Sequence, residues 1–138
     1  MFKINRKTEY ALRGLIYLAR RPSDEFIMIK EIGRAVGASP VFLAKIFQQL
    51  AAAGLTVSSR GAVGGGVKLA RKPERISIKE VLEATEGPIC VNLCVIDSRA
   101  CRRSKTCAAH RLWKRVRSGL DEMLDQATLQ DLAAESEF

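Results

Sequence analysis

Three cysteines and the only histidine of the chain lie in one short segment, at spacings that suit metal ligands. Six residues separate Cys94 from Cys101, five separate Cys101 from Cys107, and two separate Cys107 from His110. Thiolate sulfur selects zinc or iron–sulfur clusters, and imidazole is a ligand in both kinds of site. Because the segment is too polar and irregular to pack as core, we predict that it binds a metal centre.

The spacing favours an iron–sulfur cluster over three alternatives. Cys107 and His110 lie three positions apart at the start of a predicted helix, so both side chains can point the same way. The other two thiols, those of Cys94 and Cys101, lie in a predicted flexible loop, which could fold around a cluster. Zinc sites usually contain ligand pairs two to four residues apart, and only Cys90 and Cys94 approach that pattern. The remaining alternatives are a thiol pair that oxidises to a disulfide and four unrelated buried cysteines.

Positive charge is concentrated in the first half of the chain. The formal net charge is +8; residues 1–75 hold 14 Lys/Arg against 5 Asp/Glu, and residues 76–138 hold 9 against 10. A polyanion is the natural partner of such a field, which favours nucleic acid. No run of about 18 apolar residues and no signal-peptide core occurs, so we expect a cytoplasmic protein without a membrane partner. The lone histidine and the lack of a Cys-x-x-Cys pair argue against an enzyme.

The first half is predicted to form a helix-turn-helix on a supporting first helix. Apolar residues recur at helical spacing in the first helix and again from Ile29 to Val36, where Gly37 ends the second helix. The third helix has Ser39 as N-cap, Pro40 at its first position and Gly54 beyond its C-terminus. The tight connection between the second and third helices is typical of a helix-turn-helix. The expected buried stripe of the third helix is Leu43, Ile46, Phe47 and Leu50.

A hairpin with a glycine-rich tip follows the third helix directly, in the position of a wing. Its glycines let the backbone approach a phosphate chain, and its arginine can enter a narrow minor groove. A nucleotide-binding glycine loop is excluded because no helix begins after the glycines and no Lys-Ser/Thr pair follows. The residues expected to contact DNA are Ser39, Val41, Lys45, Gln48 and Gln49 of the third helix and Arg60, Gly64, Gly65 and Gly66 of the wing.

The second half is predicted to link and dimerise the DNA-binding units. Ser77 and Glu80 form a capping box for a linker helix. The amphipathic stretch 108–127 is longer than a small winged domain needs to cover itself, so we expect a dimerisation helix. The fold class is therefore mainly α: a winged helix-turn-helix with a two-stranded β wing and a long C-terminal dimerisation helix. The expected segments are a DNA-binding domain (1–75), a linker helix with a cysteine-rich cluster-binding loop (76–106), and a dimerisation helix with a C-terminal tail (107–138).

Several motifs along the whole chain resemble one family. They are EYALRGLIYLA in the first helix, SPVFLAKIFQQLAAAGL in the recognition helix, SSRGAVGGGVKLAR in the wing and ISIKEVLEATEG before the cysteines. In order and spacing the chain resembles the IscR/NsrR-type (Rrf-two) family of bacterial winged-helix iron–sulfur transcription regulators. The resemblance implies a homodimer that binds near-palindromic promoter DNA, and an iron–sulfur cluster whose loss, oxidation or nitrosylation changes DNA binding.

The resemblance also implies a ligand set for the cluster. The three thiolate ligands it implies are Cys94, Cys101 and Cys107. The fourth ligand is His110 by likeness to IscR-type members, or Glu9 from the other subunit by likeness to NsrR-type members. Cys90 is an additional cysteine and a less favoured ligand. The first cysteine spacing lies between the two types, so both 2Fe–2S, which is favoured, and 4Fe–4S clusters are expected candidates. The alternative is a cluster-free regulator of the same fold that uses its cysteines as a thiol redox switch or a zinc site.

Overall fold

Helices occupy most of residues 3–59 and 66–135, the two parts of the chain that the computed structural model describes, and a small antiparallel sheet lies beside them. The helices are α1 (Arg6–Ala19), α2 (Ile29–Val36), α3 (Pro40–Ala52), α4 (Ile78–Glu86), α5 (Leu93–Ile96), α6 (Ala108–Gln126) and α7 (Leu129–Glu135). The strands are β1 (Ile27–Met28), β2 (Thr56–Ser58) and β3 (Gly66–Leu69). This order confirms the predicted winged helix-turn-helix with a long C-terminal helix.

The first helix supports the helix-turn-helix with a face slightly different from the predicted one. The sequence predicted an apolar stripe on this helix that consists of Leu12, Leu15, Ile16 and Ala19. Leu15 and Ile16 of that stripe are buried, and the buried face also includes Ala11 and Leu18. The other two predicted members are only partly buried. The stripe was therefore placed on the correct side of α1, but its centre lies a fraction of a turn away.

The connection between α2 and α3 has the predicted caps. Gly37 follows α2 with φ of 73°, a left-handed conformation that glycine adopts without steric cost. The hydroxyl of Ser39 accepts a hydrogen bond of 3.2 Å from the backbone N–H of Phe42, and Pro40 opens α3. These signals confirm the predicted bounds of α2 and the start of α3. The predicted buried stripe is also confirmed: Leu43, Ile46, Phe47 and Leu50.

The sheet contains one more strand than the sequence predicted. The strand order is β1-β3-β2, with both pairs antiparallel, so β3 is central. In β1, Ile27 pairs with Val67 of β3 and is buried. A strand of two residues has no alternating pattern to reveal it, which is why the prediction gave only the two wing strands.

The core crosses the boundaries of the predicted segments. The capping box of α4 is present: the Ser77 hydroxyl accepts from the N–H of Glu80, and the Glu80 carboxylate accepts from the N–H of Ser77 at 2.9 Å. Beyond α6 the chain returns, and the N–H of Leu129 donates to the carbonyl of Ile76 at 2.9 Å. Leu129 and Ala133 of α7 then pack in the same core as α1 and α3. The C-terminal helix is therefore packed with the DNA-binding segment. Among the residues described, no helix has the length and apolar character to cross a membrane.

Candidate DNA interface and cysteine site

The predicted DNA-contacting residues of α3 lie together on its exposed side. The opposite side of the helix is buried, which fixes the orientation of α3 on the domain. Val41, in the first turn of α3, is 71% exposed on this side. The other predicted contacts that are exposed on this helix or at its N-cap are Ser39, Lys45, Gln48 and Gln49.

The predicted wing contacts fall mostly in the part of the chain that is not described. Arg60, Gly64 and Gly65 lie outside the described residues, and Gly66 is the first residue of β3. Gly66 is buried, and a Cβ atom at this position would lie 2.9 Å from the carbonyl oxygen of Ile27. A glycine at the base of the wing therefore lets β1 approach β3 closely.

A cluster of two arginines and two aromatic rings lies beside the N-terminal turn of α3, and the sequence reasoning missed it. The ring of Tyr10 meets the ring of Phe42 edge to face, with centroids 5.7 Å apart. The guanidinium carbons of Arg6 and Arg13 lie 5.6 Å and 5.1 Å from the centroid of the Tyr10 ring. A hydrogen bond from Arg6 to the Tyr10 hydroxyl lowers the pKa of Tyr10. The spacing of Arg6, Tyr10 and Arg13 could have indicated that they share one face of α1. Their position beside α3 could not be predicted, because it depends on the tertiary contact between Tyr10 and Phe42.

Two of the predicted metal ligands are in direct contact. The Cys94 Sγ atom lies 3.2 Å from the His110 Nδ1 atom. Cys94 is on α5 and only 9% exposed, whereas His110 is in the first turn of α6. Cys107 is the N-cap of α6, one turn before His110, and is half-buried. Cys101 is exposed on the segment between them.

The remaining candidate ligands are spread over the surface. Glu9 is exposed in the first turn of α1. Cys90 is half-buried and lines a cleft with Lys3 and Glu86. Over residues 3–59 and 66–135, no three His, Cys, Asp or Glu side chains are grouped closely enough to hold one metal ion. The structure therefore brings Cys94 and His110 together and leaves the other predicted ligands apart.

The cysteine segment has more local structure than the irregular loop that the sequence predicted. The α5 turn is followed by a 3-10 turn from Ser98 to Ala100, and the buried Ser104 hydroxyl donates to the Ser98 carbonyl at 2.8 Å. The N–H of Arg99 donates to the Asp97 carboxylate at 3.0 Å, and the hydrogen bonds from Arg99 lower the pKa of Asp97. These side-chain contacts order a stretch whose sequence has no helical or strand period.

A buried polar junction joins α1 to the end of α4, directly before the cysteine segment. The Thr8 and Thr85 hydroxyls lie 2.8 Å apart, and neither residue is more than 5% exposed. One carboxylate oxygen of Glu86 accepts from the Thr8 hydroxyl at 2.5 Å and from the Asn5 N–H at 2.9 Å. A movement at the end of α4 would therefore be transmitted to the helix that supports α3.

The long helix α6 presents apolar side chains to solvent. None of its residues is buried, although it packs on α4 and α5. Met123 is 70% exposed, Leu112 is 48% exposed and Val116 is 38% exposed. The sequence predicted one apolar stripe that contains these three residues together with Trp113, Leu120 and Leu124, and the last three are half-buried. Next to this face, Leu93 of α5 is 68% exposed.

A family model described as Rrf2, iron-dependent transcriptional regulator, matches residues 4–135. The chain belongs to the Rrf2 family. It is 34% identical over 131 residues to the HTH-type transcriptional regulator NsrR of Bacillus licheniformis, covering 94% of this chain and 91% of that one. It is 28% identical to the regulator IscR of Aliivibrio salmonicida, covering 98% of this chain and 79% of that one.

Solved structures confirm the fold. The structure of CymR of Bacillus subtilis, described as the global cysteine regulator of that organism, superimposes with a TM-score of 0.79 at 32% identity. That alignment covers 99% of this chain and 100% of the other. This Rrf2-family chain is a DNA-binding transcription regulator and not an enzyme.

Proposed function

We propose that this Rrf2-family protein is a homodimeric regulator whose promoter binding is controlled by an iron–sulfur cluster in the cysteine segment. The observation that carries the proposal is the 3.2 Å contact between Cys94 Sγ and His110 Nδ1. A sulfur and an imidazole nitrogen that bind one tetrahedral ion at about 2.3 and 2.0 Å lie about 3.5 Å apart. The contact has hydrogen-bond geometry, and its length is close to the separation that two ligands of one metal ion need.

The donor chemistry of the segment fits such a cluster. Cys94, Cys101, Cys107 and His110 supply soft sulfur and imidazole donors, as iron–sulfur ligation requires. Glu9 of the partner is the alternative fourth ligand, since it is exposed and free to approach another protomer. A bound cluster, 2Fe–2S or 4Fe–4S, would supply a centre that responds to redox state, nitric oxide or iron supply. The description of the Rrf2 family as iron-dependent transcriptional regulators supports an iron–sulfur cluster over zinc.

The second copy of the chain would cover the exposed apolar face of α6. Large exposed apolar patches on a protein usually mark an interface, and α6 extends beyond the core that it helps to cover. In this arrangement the segment 107–138 dimerises the protein, the segment 1–75 binds DNA, and the segment 76–106 links them and holds the cluster. The twofold axis would place two α3 helices in successive major grooves, about 34–36 Å apart.

Recognition of promoter DNA would use the exposed side of α3 and the wing. Ser39 and Lys45, which are exposed, would contact phosphate or base edges, and Gln48 and Gln49 would each offer an amide that can form two hydrogen bonds to one base. Val41 can contact a thymine methyl group. The wing would add Arg60, Gly64 and Gly65, whereas Gly66 is buried against β1 and would shape the base of the wing instead of contacting DNA. Phosphate contacts would dominate the affinity and make it decrease steeply with salt.

Control of DNA binding would pass through the two connections of the cysteine segment. Its first end follows the junction of the buried Thr8 and Thr85 with the exposed Glu86, which connects α4 to α1. Its second end is α6, where Arg117 donates to the carbonyl of Val95 at 3.3 Å, next to Cys94. Ordering the segment would therefore bias the placement of the two DNA-binding heads. A bias of about 1.4 kcal/mol changes promoter affinity about tenfold.

The test is anaerobic purification followed by analysis of iron, acid-labile sulfide and DNA binding. We expect a coloured protein with stoichiometric iron and sulfide, whose affinity for an operator selected from random duplexes changes when the cluster is removed. Cys101→Ala should abolish the cluster without damaging the core, because Cys101 is exposed. Cys90→Ala is the matched control and should retain it. His110→Ala and Glu9→Ala, measured separately, identify the fourth ligand.

A second candidate function is a cluster-free regulator with a thiol switch. It is favoured by the free, exposed thiol of Cys101 and by the likeness to a protein described as a cysteine regulator. In that case an iron chelator leaves operator binding unchanged, and a disulfide-forming oxidant changes it. A colourless protein with stoichiometric zinc would instead identify a structural zinc site.

A further inference from the structure

We infer that Arg6, Tyr10 and Arg13 form a binding site for the sugar–phosphate backbone of DNA, beside the recognition helix. The inference rests on the DNA binding of the family and adds a surface on α1 that lies outside both α3 and the wing. The three residues occupy positions i, i+4 and i+7, so they share one face of α1.

Among the described side chains, the two arginines of this site have no carboxylate at ion-pair distance. The pKa of Arg6 is raised mainly by its hydrogen bond to Tyr10, and the charge of nearby Glu9 is one of the smaller contributions that raise it. Arg6 and Arg13 are exposed, and neither is part of an ion pair within residues 3–59 and 66–135. Both guanidinium groups instead lie against the Tyr10 ring, which orders them without cancelling their charge. Glu9 and Lys3 line the same cleft. An ordered cationic pair without a carboxylate partner is suited to an external anion.

The spacing of the two arginines matches a nucleic-acid strand. Seven residues of α-helix advance about 10.5 Å, and one DNA strand carries a phosphate about every 3.4 Å along the duplex axis. The two guanidinium groups can therefore reach phosphates a few nucleotides apart on the same strand. Arg6 donates to the Tyr10 hydroxyl oxygen, which leaves the hydroxyl hydrogen free to donate to a phosphate oxygen between them.

The position of the site favours DNA over another anion. The Tyr10 ring is held edge to face against Phe42, which is in the first turn of α3. Phe42 follows Val41 and precedes Lys45 by one turn, so the arginine site continues the face that enters the major groove. A backbone contact at this place would set the depth and angle at which the first turn of α3 meets the bases.

The test compares the salt dependence of binding for the full-length protein and its variants, on a selected operator and on an unrelated duplex of the same length. Each lost phosphate contact reduces the slope of log K against log salt by about 0.9. Arg6→Ala and Arg13→Ala each remove one contact per protomer and so two per dimer, which should lower the slope by about 1.8, so that raising salt from about 50 to about 200 mM weakens each variant about 12-fold less than the wild type. The decrease in slope should be equal on the operator and on the unrelated duplex, because a phosphate contact does not depend on the base sequence.

Two controls separate this inference from folding effects and from the proposed function. Lys79→Ala removes a cation of α4 that pairs with Glu83 and should leave the slope unchanged. Arg6→Lys should recover the slope, because the charge is kept. Unchanged slopes in both arginine variants, or a loss confined to the operator, would overturn the phosphate site while leaving DNA binding by the wild type intact. A wild type that binds neither duplex would instead contradict the DNA-binding function itself.

Discussion

Replacing Gly33 by alanine should disturb the turn that sets the angle between α2 and α3. A Cβ atom on Gly33 would lie 2.7 Å from the backbone oxygen of Ala38 and 3.5 Å from Leu43 Cδ1. The backbone oxygen cannot rotate away, so the turn itself must move by several tenths of an ångström. The Gly33 carbonyl also accepts from the N–H groups of Gly37 at 2.9 Å and Ala38 at 3.0 Å, and both hydrogen bonds would be strained by that movement.

The expected loss of stability is about 2 kcal/mol. Overpacking costs about 1–3 kcal/mol, and weakening a turn hydrogen bond adds about 0.5–1.5 kcal/mol. Alanine recovers about 1 kcal/mol of helix propensity relative to glycine. A net loss of about 2 kcal/mol lowers the folded-to-unfolded ratio about 30-fold. Operator affinity should decrease as well, because α3 would meet the groove at a different angle.

The assay is urea unfolding at a fixed protomer concentration, with operator binding measured on the same samples. Gly37 provides a matched comparison in the same turn, because a Cβ there meets nothing within 4 Å but the φ of 73° is left-handed. Gly37→Ala should cost about 1–2 kcal/mol, and Gly37→Asn less, since asparagine tolerates this conformation. Substitutions at the surface usually change the free energy of unfolding by no more than about 0.5 kcal/mol. A Gly33→Ala variant whose free energy of unfolding lies within that range of the wild type would refute the steric reasoning.

Three further predictions concern the dimer, the junction and acid stability. Met123→Glu should shift the protein from dimer to monomer in sedimentation equilibrium, whereas Glu122→Ala should not; a fully dimeric Met123→Glu variant would contradict the α6 interface. Thr8→Val should lower the free energy of unfolding by about 1–3 kcal/mol in urea, because Thr8 is buried and its hydroxyl bonds Glu86, and an unchanged midpoint would contradict this. Burial raises the pKa of Glu80, but the hydrogen bonds it accepts outweigh this and lower that pKa below its ordinary value of 4.5. Its stabilisation is therefore present above pH 4.5 and is lost as pH falls below it, so Glu80→Gln should flatten the acid side of the stability profile.

Much of the fold could be predicted because local signals agree with the packing. The bounds of α2 and the start of α3 follow from Gly37, Ser39 and Pro40, whose conformational preferences act within a few residues. The helical periodicity that persists along the whole of α6 is equally visible in the sequence. By contrast, β1 is two residues long and exists only because β3 lies beside it. The short α5 is ordered by contacts that no periodicity reveals.

The candidate site was predictable in its residue types and less so in its contacts. The spacing of Cys107 and His110 is a local property, and both residues lie at the start of α6, where the sequence placed them. The approach of Tyr10 to Phe42 and the contact of Thr8 with Thr85, 77 positions away, depend on how α1 packs against α3 and α4. Such long-range pairs require the packed structure, because nothing local encodes them.

The most direct test of the account is operator binding by anaerobically prepared protein before and after removal of its iron, with dimerisation monitored in parallel. We predict that the prepared dimer contains iron and sulfide and that its affinity for the operator changes about tenfold or more on their removal, equivalent to about 1.4 kcal/mol of coupling. Equal affinity in the two forms, or a preparation without iron and sulfide, would contradict control by a cluster.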